Sequence, residues 1–255
     1  MLEREEYVEQ AYLFRMLSER LPENFPLQDL LEQTRHELLA TTKLPMAVDF
    51  LLAELRHSGV MSTAMRRLPH YFSPYQTYVI AAAEDERGRF DMRVAIEILR
   101  HQAAYLAERP TREGLFMYQF ETLCRNRLRY DRGLDAISAD PMYNEDWREW
   151  IQTVRSQIGI VDFADLIYVR SEEYLRRRAR ASESPPAPEK PLLFGEKEGK
   201  IAWANRQKDP MYLFAALQRH LGYPTAPRIK RIDEARHRLR VVRRVAPGDH
   251  QRMSA

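Results

Sequence analysis

The chain is expected to be mainly α: a multi-helix bundle or array, followed by a small C-terminal hairpin-plus-helix module and a basic tail. Three observations lead there. Apolar residues recur at spacings of three and four through most of the first 180 positions. Glycine is scarce, nine in 255 residues. Prolines and glycines stand where helices should start and stop rather than inside them.

The longest pattern spans residues 111–140. Thr111 is a plausible N-cap, Gly114 follows, and Pro141 forbids continuation. Phe116, Phe120, Leu123, Arg127, Tyr130, Leu134 and Ile137 share one face, apolar except for Arg127. An unpaired arginine in such a stripe would be costly to bury, so Asp131, one turn on, is the expected partner. The favoured role of Arg127 and Asp131 is a buried ion pair that fixes helix packing. The functional alternative is an anion-binding arginine in a helical pocket.

Before that stretch, residues 3–21, 26–41, 44–57 and 60–68 predict helices, with Pro22 and Gly59 as stops. Residues 69–78, PHYFSPYQTY, form an aromatic loop. His70, Tyr71, Phe72, Tyr75 and Tyr78 could line a ligand or protein-binding lip, although packing onto the core is the favoured reading. Ser73 followed by Pro74 is a cap and first turn. The helix it opens runs toward Arg109, with a bend or break at the charged stretch 84–89, where Gly88 lowers helix propensity. After the long pattern, Trp147, Ile151, Val154 and Ile158 align on a further helix closed by Gly159. Residues 159–174 read as helix, with Leu166–Val169 as an alternative strand.

The expected division places an all-α domain at 1–180 and a proline-rich linker at 181–191. A small module at 192–228 would pair a β-hairpin (192–194 and 200–204 around GEKEG) with a helix opened by Asp209-Pro210 and closed by Gly222. That helix is apolar nearly all round. The hairpin, through Trp203, and the helical body are expected to cover it. Residues 229–255 would be a basic tail, with Ile232, Ala235, Leu239 and Val242 forming a two-repeat heptad seam.

Charge is split. Residues 1–170 hold 21 basic and 27 acidic side chains, net −6; residues 171–255 hold 19 and 10, net +9. An acidic body with a basic end points to an anionic partner, or to the end folding back on the body. Arg236, Arg240, Arg243 and Arg244 are the residues that would contact nucleic acid in the first case. Cys124 is the only cysteine, which excludes an intramolecular disulfide and fits a reducing compartment. The acidic start lacks the pattern of a signal peptide, and no apolar run is long enough to span a membrane, so a cytoplasmic protein with no membrane partner is expected.

Catalytic and metal motifs fail on inspection. GEKEGK has one residue too few for a phosphate loop, and Ile201 stands where a hydroxyl belongs. His36-Glu37 lacks the second histidine of a zinc protease helix. Glu54 and His57 have the spacing of a di-iron pair, but the nearest second pair, Glu97 and His101, is spaced by four. Cys124 has nothing beside it to lower its pKa and reads as core. No cofactor is expected. The leading functional expectation is a non-enzymatic helical adaptor or scaffold with a protein partner, able to homo-oligomerise through the heptad seam. The alternatives are a nucleic-acid-associated protein using the basic end, and a small-ligand binder or enzyme with a pocket near Arg127.

Overall fold

A computed structural model describes residues 1–23, 25–85, 87, 90–181 and 190–228. The expected basic tail, its heptad seam and most of the proline-rich linker lie outside these residues. The described part is mainly α, with thirteen α-helices, one 3-10 turn and no strand.

The first six helices are α1 (Arg4–Arg20), α2 (Leu27–Arg35), α3 (Leu44–Ser58), α4 (Met61–Arg66), α5 (Pro74–Glu84) and α6 (Met92–Ala107). Helix α1 packs along α6 through Leu13, Phe14 and Leu17, all fully buried. The stop signals act as expected: Gly59 ends α3 with φ +70°, a left-handed value suited to glycine. Helix α2 is shorter than its apolar pattern, because residues 36–42 turn back toward α1. There, Glu9 accepts from the Leu39 amide at 2.9 Å and Glu6 from the Lys43 amide at 2.8 Å. Ser73 and Gln76 form a reciprocal capping box at the start of α5. The charged stretch at 84–89 separates α5 from α6, as its composition predicts.

Residues 111–140 are two helices, not one: α7 (Arg112–Asn126) and α8 (Tyr130–Ser138). Helix α7 does not bury a stripe. It is buried all round from Gly114 to Leu123. Phe116 and Phe120 meet Trp150 at 4.8 Å and Phe163 at 4.6 Å between ring centroids. Those rings come from α9 (Glu145–Gln157) and α10 (Phe163–Tyr168). Residues 166–168 are therefore helix, with the Asp162 side chain capping the Ala164 amide.

Helices α11 (Glu172–Ala181), α12 (Glu196–Asn205) and α13 (Pro210–Leu221) complete the chain. The expected β-hairpin is absent. GEKEG opens α12, with Gly195 as N-cap, and Glu196 pairs with Lys200 one turn on. The strand-like LLF contributes a single bridge between Phe194 and Ser171, beside two amide bonds to the Arg170 carbonyl. Periodicity could not separate these readings, because a short apolar run suits a strand or a buried helix equally. Trp203 covers α10 and α11 instead: it lies 4.8 Å from the Tyr168 ring, with the guanidinium carbons of Arg177 at 4.3 Å and Arg206 at 3.5 Å from its ring centre. Helix α13 docks on the helical body, as its all-round apolar surface predicts. Phe214 reaches Phe120 and Phe163, both at 6.0 Å, and the Tyr223 hydroxyl donates to Glu121 at 2.9 Å. Phe194, Leu213, Phe214 and Leu217 of the 192–228 segment belong to the same core cluster as the body.

Gly199 tests the α12 docking. A methyl there would overlap the Ser171 side chain and come within 2.7 Å of Glu173 Cβ. In an isolated helix Gly199→Ala would gain about 1 kcal/mol. Here it is expected to lose about 1–3 kcal/mol in urea unfolding; a gain would mean that α12 does not pack on α11.

Candidate functional site

The break between α7 and α8 is made by Arg127, which takes a left-handed conformation (φ +53°, ψ +37°) normally left to glycine. The Leu128 amide reaches back to the Leu123 carbonyl at 3.0 Å, closing the helix end. This reverses the chain and puts Arg127, Arg129 and Arg132 on one side of the molecule. Arg66, from the end of α4, joins them across a cavity of about 510 Å³. The floor is apolar or weakly polar: Met65, Phe72, Pro74, Thr77, Ala81, Ala82, Phe90 and Leu128. The size falls within the range of small-ligand cavities.

The electrostatics are one-sided. Among the described residues, none of the four arginines forms an ion pair with a carboxylate, and Asp85 is the one acidic residue in the lining. Tyr78, on α5, donates its hydroxyl to the Arg129 carbonyl at 2.9 Å and so fastens the reversed turn to the wall. Burial raises the pKa of that phenol, while the same hydrogen bond and the Arg129 and Arg132 charges pull it back. Two of the rim charges therefore act on one point of the wall.

The expected buried pair of Arg127 and Asp131 does not form. Arg127 is exposed at the rim, and Asp131 points to the other side of α8, where it lies 3.7 Å from Arg155. The one-turn spacing would align them in a continuous helix; the left-handed residue removes that alignment. The aromatic loop is divided. Phe72 floors the large cavity and is buried; His70 and Tyr71 line a second cavity; Tyr75 is fully buried in the core and lines neither. Tyr71 also donates to Glu6 at 2.8 Å, so core packing accounts for much of this loop. Arg236, Arg240, Arg243 and Arg244 lie outside the described residues.

The residues missed in the sequence are Arg66, Arg129 and Arg132; Tyr78, one of the aromatics named from the sequence, does line the cavity. A signal existed: RNRLRYDR, residues 125–132, places four arginines in eight positions of an otherwise acidic body. Other candidates are absorbed locally. Glu54 pairs with Arg67 at 2.6 Å, Glu97 with Arg100 at 2.8 Å, and Glu37 with Arg20 at 2.7 Å. Among the described residues no three His, Cys, Asp or Glu side chains gather as a metal site, and no helix is long and apolar enough to cross a membrane. Burial raises the Cys124 thiol to about 11, with a partial offset from its hydrogen bond to Tyr130, so it is a poor nucleophile at neutral pH. Comparison with protein-family models, curated proteins and solved structures finds no match.

Arg127→Gly separates the two accounts of this residue. Relief of the left-handed backbone is expected to raise stability by roughly 1 kcal/mol in urea unfolding. Loss of a buried ion pair would instead cost roughly 3–5 kcal/mol.

Proposed function

We propose that this protein is a binding module for a small amphipathic anion, with an apolar body seated on Phe72, Ala81, Ala82 and Leu128 and an acidic head held by Arg127, Arg129, Arg132 and Arg66. The carrying observation is the set of four guanidinium groups that have no carboxylate partner among the described residues, around one apolar cavity. Such groups prefer bidentate oxyanions, phosphate and carboxylate above all. Arginine is also weakly hydrated, so a rim of it loses little when an apolar ligand body enters beside it.

The helical array is the scaffold for this cavity. Chain reversal at Arg127 supplies one wall, and the α4–α5 connection supplies the other. Among the described lining residues Asp85 is the one carboxylate, and there is no histidine, cysteine, serine or lysine, so binding rather than turnover is the reading. The adaptor reading, with a protein partner or a second copy joined through the heptad seam, has no comparably specific observation behind it. A cytoplasmic setting fits the lone, half-buried Cys124.

Dodecyl phosphate is a suitable probe, followed by isothermal titration calorimetry. Saturable binding is expected, weakening as salt rises. Arg127→Gln, Arg129→Gln and Arg132→Gln should each weaken it roughly two- to fivefold, the range for exposed charge pairs. Ala81→Trp should fill the floor and abolish binding. Equal binding of dodecanol, or binding indifferent to both the arginines and Ala81→Trp, would sink the proposal.

A further inference from the structure

A second cavity, of about 290 Å³, lies on the other side of the 68–73 loop and shares only Pro69 with the first. Its chemistry is different. Gln102, on α6, is completely buried and lines it, yet neither the amide nitrogen nor the amide oxygen has a hydrogen-bond partner. Leaving one buried polar atom unsatisfied costs roughly 1–3 kcal/mol, and here there are two on one side chain. A carboxamide with both atoms unpartnered is a matched donor and acceptor, the complement of a second carboxamide.

Asp140 lines the same cavity and is 4% exposed. Its two oxygens accept from neutral donors, the Met142 amide at 3.1 Å and the Gln119 side chain at 3.4 Å. Among the described residues no lysine, arginine or histidine forms an ion pair with it. The α-amino group of Met1, at the cavity edge, acts on it only weakly and at a distance. A carboxyl group buried this far without a cation is normally paired or neutralised. Burial does push its pKa up, against the opposing hydrogen bonds from Met142, Ser73 and Gln119. Tyr7 and Leu106 supply apolar wall in the same cavity.

We infer that this cavity is a second ligand site, independent of the arginine-rimmed one, for a small molecule that carries an ammonium group and a carboxamide. The ammonium pairs with the Asp140 carboxylate. The carboxamide makes two hydrogen bonds to Gln102, donating to its oxygen and accepting from its nitrogen. A short aliphatic body fits between Tyr7 and Leu106. Amino-acid amides have this chemistry, and binding one satisfies both unpartnered Gln102 atoms and gives the Asp140 carboxylate a cation.

Leucinamide tests this on the intact protein, read by calorimetry and by the side-chain amide signal of Gln102 in nitrogen–proton correlation spectra. The signal is assigned by its loss in Gln102→Leu. Leucinamide is expected to bind saturably and shift that signal. 4-Methylpentanamide, which lacks the amine, and 3-methylbutylamine, which lacks the amide, should each bind about ten- to a hundredfold more weakly, the loss for one charged or bidentate hydrogen-bonding partner. Asp140→Asn should weaken leucinamide by a similar factor and leave 4-methylpentanamide unchanged. The inference is overturned if leucinamide leaves the Gln102 signal of the unaltered protein in place at millimolar concentration, or if the three probes bind alike. It is equally overturned if a crystal grown with leucinamide holds only water against Gln102. The unaltered protein gives a decisive reading even where a variant fails to fold, and dodecyl phosphate binding at the arginine rim reports separately on the first site.

Discussion

Everything in this fold is arranged around the complete burial of α7. Ten consecutive residues, Gly114 to Leu123, are withdrawn from water on every side. Apolar side chains such as Phe116 and Phe120 gain from that directly. The polar ones do not, and Tyr118, Gln119 and Glu121 each take a partner. Glu121 accepts from Arg125 and from Tyr223, which draws the segment after α13 onto the body. Gln119 accepts from the Tyr143 hydroxyl at 2.8 Å and donates to Asp140, which fixes the turn between α8 and α9. Polar satisfaction of one helix thus decides where two other parts of the chain must lie.

The end of α7 has a second consequence. A left-handed arginine is an unfavourable choice at a helix terminus where glycine would cost less. In return, the turn projects its guanidinium outward and aims Arg129 and Arg132 to the same side. The helix that would have hidden Arg127 is interrupted at Arg127 itself. Local backbone strain and the charged rim are therefore two aspects of one residue.

The 68–73 loop separates two cavities of unlike chemistry. One is large, apolar and ringed by positive charge. The other is smaller and lined by a buried carboxyl group and an unpartnered carboxamide. Their separation follows from the alternation of the loop: Phe72 turns to one side, while His70 and Tyr71 turn to the other.

Local features of the sequence determined the helices and most of their ends: the capping Ser73 and Asp209, the stops at Gly59 and Gly222, and the break at the charged stretch 84–89. These depend on backbone sterics and on donors satisfied within a few residues, so they are legible without a fold. Three-dimensional packing decided the rest. GEKEGKIAWA has turn residues between apolar runs and reads as a hairpin in isolation. It is a helix because α10 and α11 offer it a surface that fits Gly199 and Trp203. Arg127 was legible as an anomaly in an apolar stripe, but its role was not, because the stripe assumed a straight helix. Arg66 lies 61 positions before Arg127 in the chain, and Gln102 38 before Asp140. No local spacing links either pair; only chain reversal at the helix ends brings them to one cavity.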